Sequence, residues 1–190
     1  MFDLIKKRKR LTVPETQYFI YQLIDGLCYL HNKQMIHREY HSPHLSIKLG
    51  NLLINDKMEL KLADFGLATK LEFPGDRKHT VCGTPNYIAP EVILSSMGLG
   101  VSGHSYEVDI WSTGVIMYLM LVGKAPFETN RVEKTYERIS RAEFDFPDYF
   151  RDTCAKDLLR KILVVDPSRR FTFEQILSHD FMNPKNGIPK

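Results

Sequence analysis

The stretch from Val108 to Val122 constrains the fold most, because it is nearly continuous in apolar side chains yet too short to leave the protein interior. A bilayer-spanning helix needs ~20 such residues, and this one is broken by Asp109, Ser112 and Gly114. A helix that is hydrophobic around most of its circumference has to be enclosed by other elements. The segment therefore reads as a buried core helix, and the question becomes what surrounds it.

The surroundings read as mostly helical. Thr12-Val13-Pro14-Glu15 has the form of a capping box with proline at the first helical position, and Phe19, Ile20, Leu23, Ile24, Leu27 and Leu30 then recur with helical period. This predicts a helix from Val13 to His31. Leu52-Leu53-Ile54 and Leu60-Lys61-Leu62 are short apolar runs parted by Asn55-Asp56-Lys57, which predicts a small β-hairpin. Further helices are expected over Glu107–Val122, Val132–Ser140, Asp152–Val164 and Phe173–Leu177, with breaks at Pro126, Pro147 and Pro167. No repeat, low-complexity tract or linker divides the chain.

With 190 residues, 43% of them hydrophobic, the chain has enough apolar side chains for one core. A net charge of +3 gives no reason to expect nucleic acid as a partner, and no segment suits a membrane. Lys6-Lys7-Arg8-Lys9-Arg10 is the one basic run, and a solvated charged turn before the first helix is expected there rather than a nuclear-localisation or acidic-partner patch. Cys28, Cys82 and Cys154 are too few and too far apart for a disulfide framework, which suits a reducing compartment. The opening Met1–Ile5 lacks the apolar run of a secretory signal.

Chemistry enters with three motifs in order. Lys48-Leu49-Gly50-Asn51 closes a pattern that opens at His37-Arg38; Asp64-Phe65-Gly66 follows; and Gly83-Thr84-Pro85-Asn86-Tyr87-Ile88-Ala89-Pro90-Glu91 comes after it. This is the order of a catalytic loop, a metal-binding loop and a substrate-docking segment in phosphoryl transfer. Together with Leu67-Ala68-Thr69-Lys70, Thr80-Val81-Cys82 and Leu121-Val122-Gly123-Lys124-Ala125-Pro126-Phe127-Glu128-Thr129, the chain resembles the polo-like serine/threonine protein kinases. The resemblance implies an α+β kinase-like fold, with residues 1–190 a partial kinase domain. They correspond to its mostly α large C-terminal lobe, the small hairpin beside the catalytic loop, and no amino-terminal lobe with its glycine-rich loop and strand lysine.

The same resemblance implies transfer of the γ-phosphate of ATP to Ser or Thr of protein substrates, with Mg²⁺. Asn51 and Asp64 match the metal ligands, both supplying the oxygen donors that this hard cation prefers. Lys48 matches the lysine beside the transferring phosphate, and Leu53 the apolar floor under the nucleotide base. Thr80 matches the activation-loop phosphosite and Arg38 its guanidinium partner, while Thr84 matches the residue that contacts the catalytic carboxylate. Glu91 and Arg170 match a buried ion pair anchoring the activation segment, and Asp109 the residue bracing the catalytic loop.

The catalytic loop departs from the family. His37 and Asn51 stand fourteen positions apart, with Tyr40 to Ser46 as the surplus, so the base position is Glu39 counted from His37 and Ser46 counted from Asn51. A second insertion lies around Met97 to Ser102. The chain on its own is therefore expected to be impaired or inactive, the alternatives being a noncatalytic kinase-like module that docks partners through its helical lobe, or the product of a truncated gene model. His37, His41 and His44 lie close in sequence but lack cysteine and a zinc spacing, and read as loop histidines. By resemblance, substrates are proteins in cell-division pathways of the cytoplasm, nucleus and spindle poles; the oligomeric state does not follow from the sequence.

Overall fold

The computed structural model describes residues 1–32, 47–63, 86–96 and 106–183. Among them lie seven α-helices, α1 (Phe2–Arg8), α2 (Val13–Asn32), α3 (Pro90–Ser96), α4 (Glu107–Val122), α5 (Val132–Ser140), α6 (Thr153–Ile162) and α7 (Phe173–Leu177). A single antiparallel hairpin joins β1 (Leu52–Ile54) to β2 (Leu60–Leu62), and three short 3₁₀ turns begin at Leu49, Pro167 and Asp180.

The apolar segment becomes α4, and every residue from Asp109 to Val122 except Leu119 is buried. Helix α2 covers one side of it, presenting Phe19, Ile20, Leu23, Ile24 and Leu27 inward, and α6 covers another with Leu158, Leu159 and Ile162. Gly114 explains how closely α6 comes. A Cβ placed there would lie 2.5 Å from Ile162 Cγ2, so the residue is glycine because the helix axes approach through it. No helix among the described residues is long and apolar enough to cross a membrane.

The start of α2 is a reciprocal cap. Glu15 accepts the Thr12 N–H at 2.8 Å and the Thr12 hydroxyl accepts the Glu15 N–H at 3.4 Å. The helix begins at Val13, so Pro14 stands at its second position rather than its first. The basic run is also corrected. Lys6, Lys7 and Arg8 form the last turn of α1, where cations complement the helix dipole, and not a turn; all five residues from Lys6 to Arg10 are nonetheless exposed.

Arg8 binds the carboxylate of Glu15 through both terminal nitrogens and so ties α1 to the cap of α2. That hydrogen bonding, reinforced by Thr12, lowers the Glu15 pKa from 4.5 to about 2. A carboxylate with a depressed folded pKa adds stability above its unfolded value and loses it as pH falls through the folded one. Both partners are about a third or more exposed, so solvent screening reduces the contribution to about 1 kcal/mol. Urea unfolding should find Glu15→Gln less stable by that amount at pH 7, with the gap shrinking as pH falls toward 2; a gap as large at pH 2 as at pH 7 would refute the charge origin.

Candidate active site

Lys48, in extended conformation, leads into the 3₁₀ turn Leu49–Asn51, which hands the chain directly to β1. The register Leu52↔Leu62, Leu53↔Lys61 and Ile54↔Leu60 aligns the two ends of the hairpin. One pair further out, the Ala63 N–H donates to the Asn51 carbonyl at 2.8 Å. Asn51 is therefore fixed beside the residue that immediately precedes Asp64 in the sequence.

Alternation along β1 buries Leu52 and turns Leu53 outward, 52% exposed. Taken as an ordinary strand leucine Leu53 would belong to the core; it lies instead on the outer face of the hairpin. Behind the 3₁₀ turn, burial raises the Tyr87 pKa, an effect that the nearby Leu49 backbone partly opposes. The Ser112 hydroxyl of α4 donates to the Tyr87 carbonyl at 3.0 Å, tying that residue to the core helix.

Asp109, near the start of α4, is buried and pairs with His31 Nε2 at 2.7 Å. His31 lies in the last turn of α2, just ahead of the stretch containing His37, and its ring packs against Tyr106 and Phe173 at centroid distances of 4.2 and 5.6 Å. Farther out, Glu91 of α3 and Arg170 form a bidentate pair with both distances 3.0 Å. The guanidinium also donates to the carbonyls of Glu107 at 2.6 Å and Val164 at 3.0 and 3.2 Å, and stands 5.1 Å over the ring of Trp111. Its side chain is fully buried, with every N–H direction committed.

The structure thus groups Lys48, Asn51 and Leu53 around one hairpin, and places Asp109 and the Glu91–Arg170 pair in the scaffold behind it. Arg38, Glu39, Ser46, Asp64, Thr80, Thr84, Cys82 and the histidines His37, His41 and His44 lie outside the described residues. Among those described, no three histidine, cysteine or acidic side chains gather as a metal site. Tyr87 carries no local signal in the sequence, because its nearness to the Leu49 backbone is a long-range contact.

The protein kinase domain family matches residues 1–182. The chain belongs to the protein kinase family. As a kinase it is 56% identical to the probable serine/threonine-protein kinase CCRP1 of Zea mays over 192 residues, covering 100% of this chain and 29% of that protein. It is 49% identical to the serine/threonine-protein kinase PLK1 of Xenopus laevis over 181 residues, 95% of this chain and 28% of the relative. With the cell cycle serine/threonine-protein kinase CDC5/MSD2 of Saccharomyces cerevisiae it shares 43% identity over 183 residues, 94% of this chain and 24% of the relative. The kinase chain thus spans less than a third of the length of the curated relatives it matches, and polo-type serine/threonine kinases are among its relatives.

Proposed function

We propose that this chain is the large, helical lobe of a polo-type protein serine/threonine kinase and carries the metal and phosphate side of its active site. The observation that supports this most directly is the Ala63 N–H to Asn51 carbonyl hydrogen bond, which fixes Asn51 beside the residue that precedes Asp64 in the sequence. An amide oxygen from Asn51 and a carboxylate from Asp64 make a hard donor set suited to Mg²⁺ carrying ATP. Bound there, the ion would offset charge on the phosphates.

In this reading Lys48 neutralises charge on the transferring phosphate, and Leu53, held outward on β1, lies under the base. Glu39 takes the proton of the substrate hydroxyl. Arg38 receives the phosphate of Thr80, and Asp109 and the Glu91–Arg170 pair brace the surrounding segments. Substrates are Ser/Thr side chains of proteins acting in cell division, in the cytoplasm, nucleus or spindle poles.

Titration calorimetry of the purified chain with Mg²⁺·ATP, with Asp64→Ala beside it, is the test. Saturable binding that Asp64→Ala abolishes is expected. A folded chain that binds no nucleotide, or an Asp64→Ala variant that binds as the parent does, would refute the assignment of the metal site.

A further inference from the structure

Ladder parity in the hairpin exposes a requirement that β1 cannot meet. In an antiparallel pair, directly opposed residues alternate between those that exchange hydrogen bonds and those that do not. Asn55 donates to the Glu59 carbonyl at 3.1 Å and Ala63 donates to the Asn51 carbonyl at 2.8 Å, so these are bonding pairs. The pair between them nearest the turn, Ile54↔Leu60, is then a non-bonding one, and the Leu60 N–H points away from β1. It needs an acceptor from elsewhere, since an unpaired backbone donor at a half-buried position is costly.

Gln22 supplies it. Its side-chain oxygen accepts the Leu60 N–H at 2.8 Å from the middle of α2, a helix whose inner face is locked into the core. The amide cannot be turned round, because Nε2 would then meet the Leu60 N–H donor to donor. In the orientation present, Nε2 is buried without a partner among the described residues, so the contact rests on the oxygen.

We infer that Gln22 is a positioning residue for the active site: by accepting the Leu60 N–H it fixes the hairpin against α2 and thereby holds the end at which Asn51 meets Ala63. It touches neither nucleotide nor substrate and acts through the strand. The extension to metal binding rests on the reading of Asn51 and Asp64 given above; the hold on the Asn51–Ala63 end does not. Sequence pattern missed this residue because a polar side chain beside Leu23 on an amphipathic helix looks like ordinary solvated surface.

The test compares Gln22→Met, which keeps length and loses the acceptor, with Gln22→Glu, which keeps an oxygen, in the whole chain. Amide hydrogen exchange is followed at Leu60 and Ala63, and Mg²⁺·ATP affinity by calorimetry. Gln22→Met should remain folded, exchange both amides faster, and bind Mg²⁺·ATP about tenfold more weakly, the low end of the losses seen when groups that orient metal ligands are removed. Gln22→Glu should recover most of the protection at both amides.

Faster exchange at Leu60 with Ala63 unchanged would overturn the inference, reducing Gln22 to a local cap. Equal losses in both variants would also overturn it, because the acceptor oxygen would then not be the cause. If the parent chain binds no nucleotide, the metal assignment fails, and the Ala63 amide alone decides the positioning role.

Discussion

Replacing Arg170 by alanine should destabilise the chain by about 4 kcal/mol, the range found when one partner of a buried ion pair is removed and the other is left behind. The side chain is fully buried, and Glu91, 18% exposed, would keep a carboxylate without its counter-ion. The carbonyls of Glu107 and Val164 would lose their donors at the same time. These contacts bind α3, the start of α4 and the stretch after α6 to a single guanidinium, so the damage reaches several elements. A planar fork does this; a point charge does not. Arg170→Lys should therefore recover less than half of the loss.

Urea unfolding of parent, Arg170→Ala and Arg170→Lys measures the effect, and a loss below about 1 kcal/mol would place the pair in the range of surface ion pairs. A second consequence separates stability from site geometry. Glu91 lies in the first turn of α3, closely following Tyr87, whose phenol lies near the Leu49 backbone. Loosening α3 should therefore weaken protection of the amides of the Leu49–Asn51 turn even at temperatures where Arg170→Ala remains folded.

What sequence revealed and what it hid divides along the range of the interactions involved. Helix α2 is legible because its cap and its apolar period are both local, and the hairpin because Asn55-Asp56-Lys57 parts two short apolar runs. Helix α5 ends where its pattern ends, and Asp152 caps α6 by accepting the Ala155 N–H at 2.8 Å. Helix α1 escaped notice because its second half is all cationic and it buries little beyond Ile5. Helix α3 is hard to see because Pro90, a good first helical residue, also belongs to the Ala89-Pro90-Glu91 motif.

The site divides in the same way. Composition and period cannot connect Glu91 to Arg170 across 79 positions, and only the family resemblance suggested the pair. They cannot tell an outward Leu53 from a buried one either, since Leu52-Leu53-Ile54 is apolar throughout and the facing of a three-residue strand is set by the register of its partner. Gln22 is the clearest case. Its importance follows from the parity of a hairpin far along the chain, which no pattern within α2 contains.

Gly123→Ala should cost on the order of 3 kcal/mol, because two penalties coincide there. The residue ends α4 in the left-handed conformation, φ 87°, with its N–H bonded to the Leu119 carbonyl at 2.8 Å, and a side chain raises the energy of that conformation. The larger penalty is steric. A Cβ at Gly123 would stand 2.2 Å from the Lys9 carbonyl oxygen, a backbone atom that cannot swing aside as a side chain can. Relief requires the connector between α1 and α2 to move, yet that connector is pinned by the Leu11 N–H bonded to the Met120 carbonyl at 2.7 Å and by the buried Leu11 side chain. The substitution thus sets the end of the core helix against the approach to α2, and the strain should show as faster exchange of the Leu11 amide along with the loss of stability. Lys124→Ala, one residue on and exposed, should change stability by less than about 0.5 kcal/mol. If Gly123→Ala were as mild as that control, the close approach of Lys9 to the end of α4 would not exist in solution.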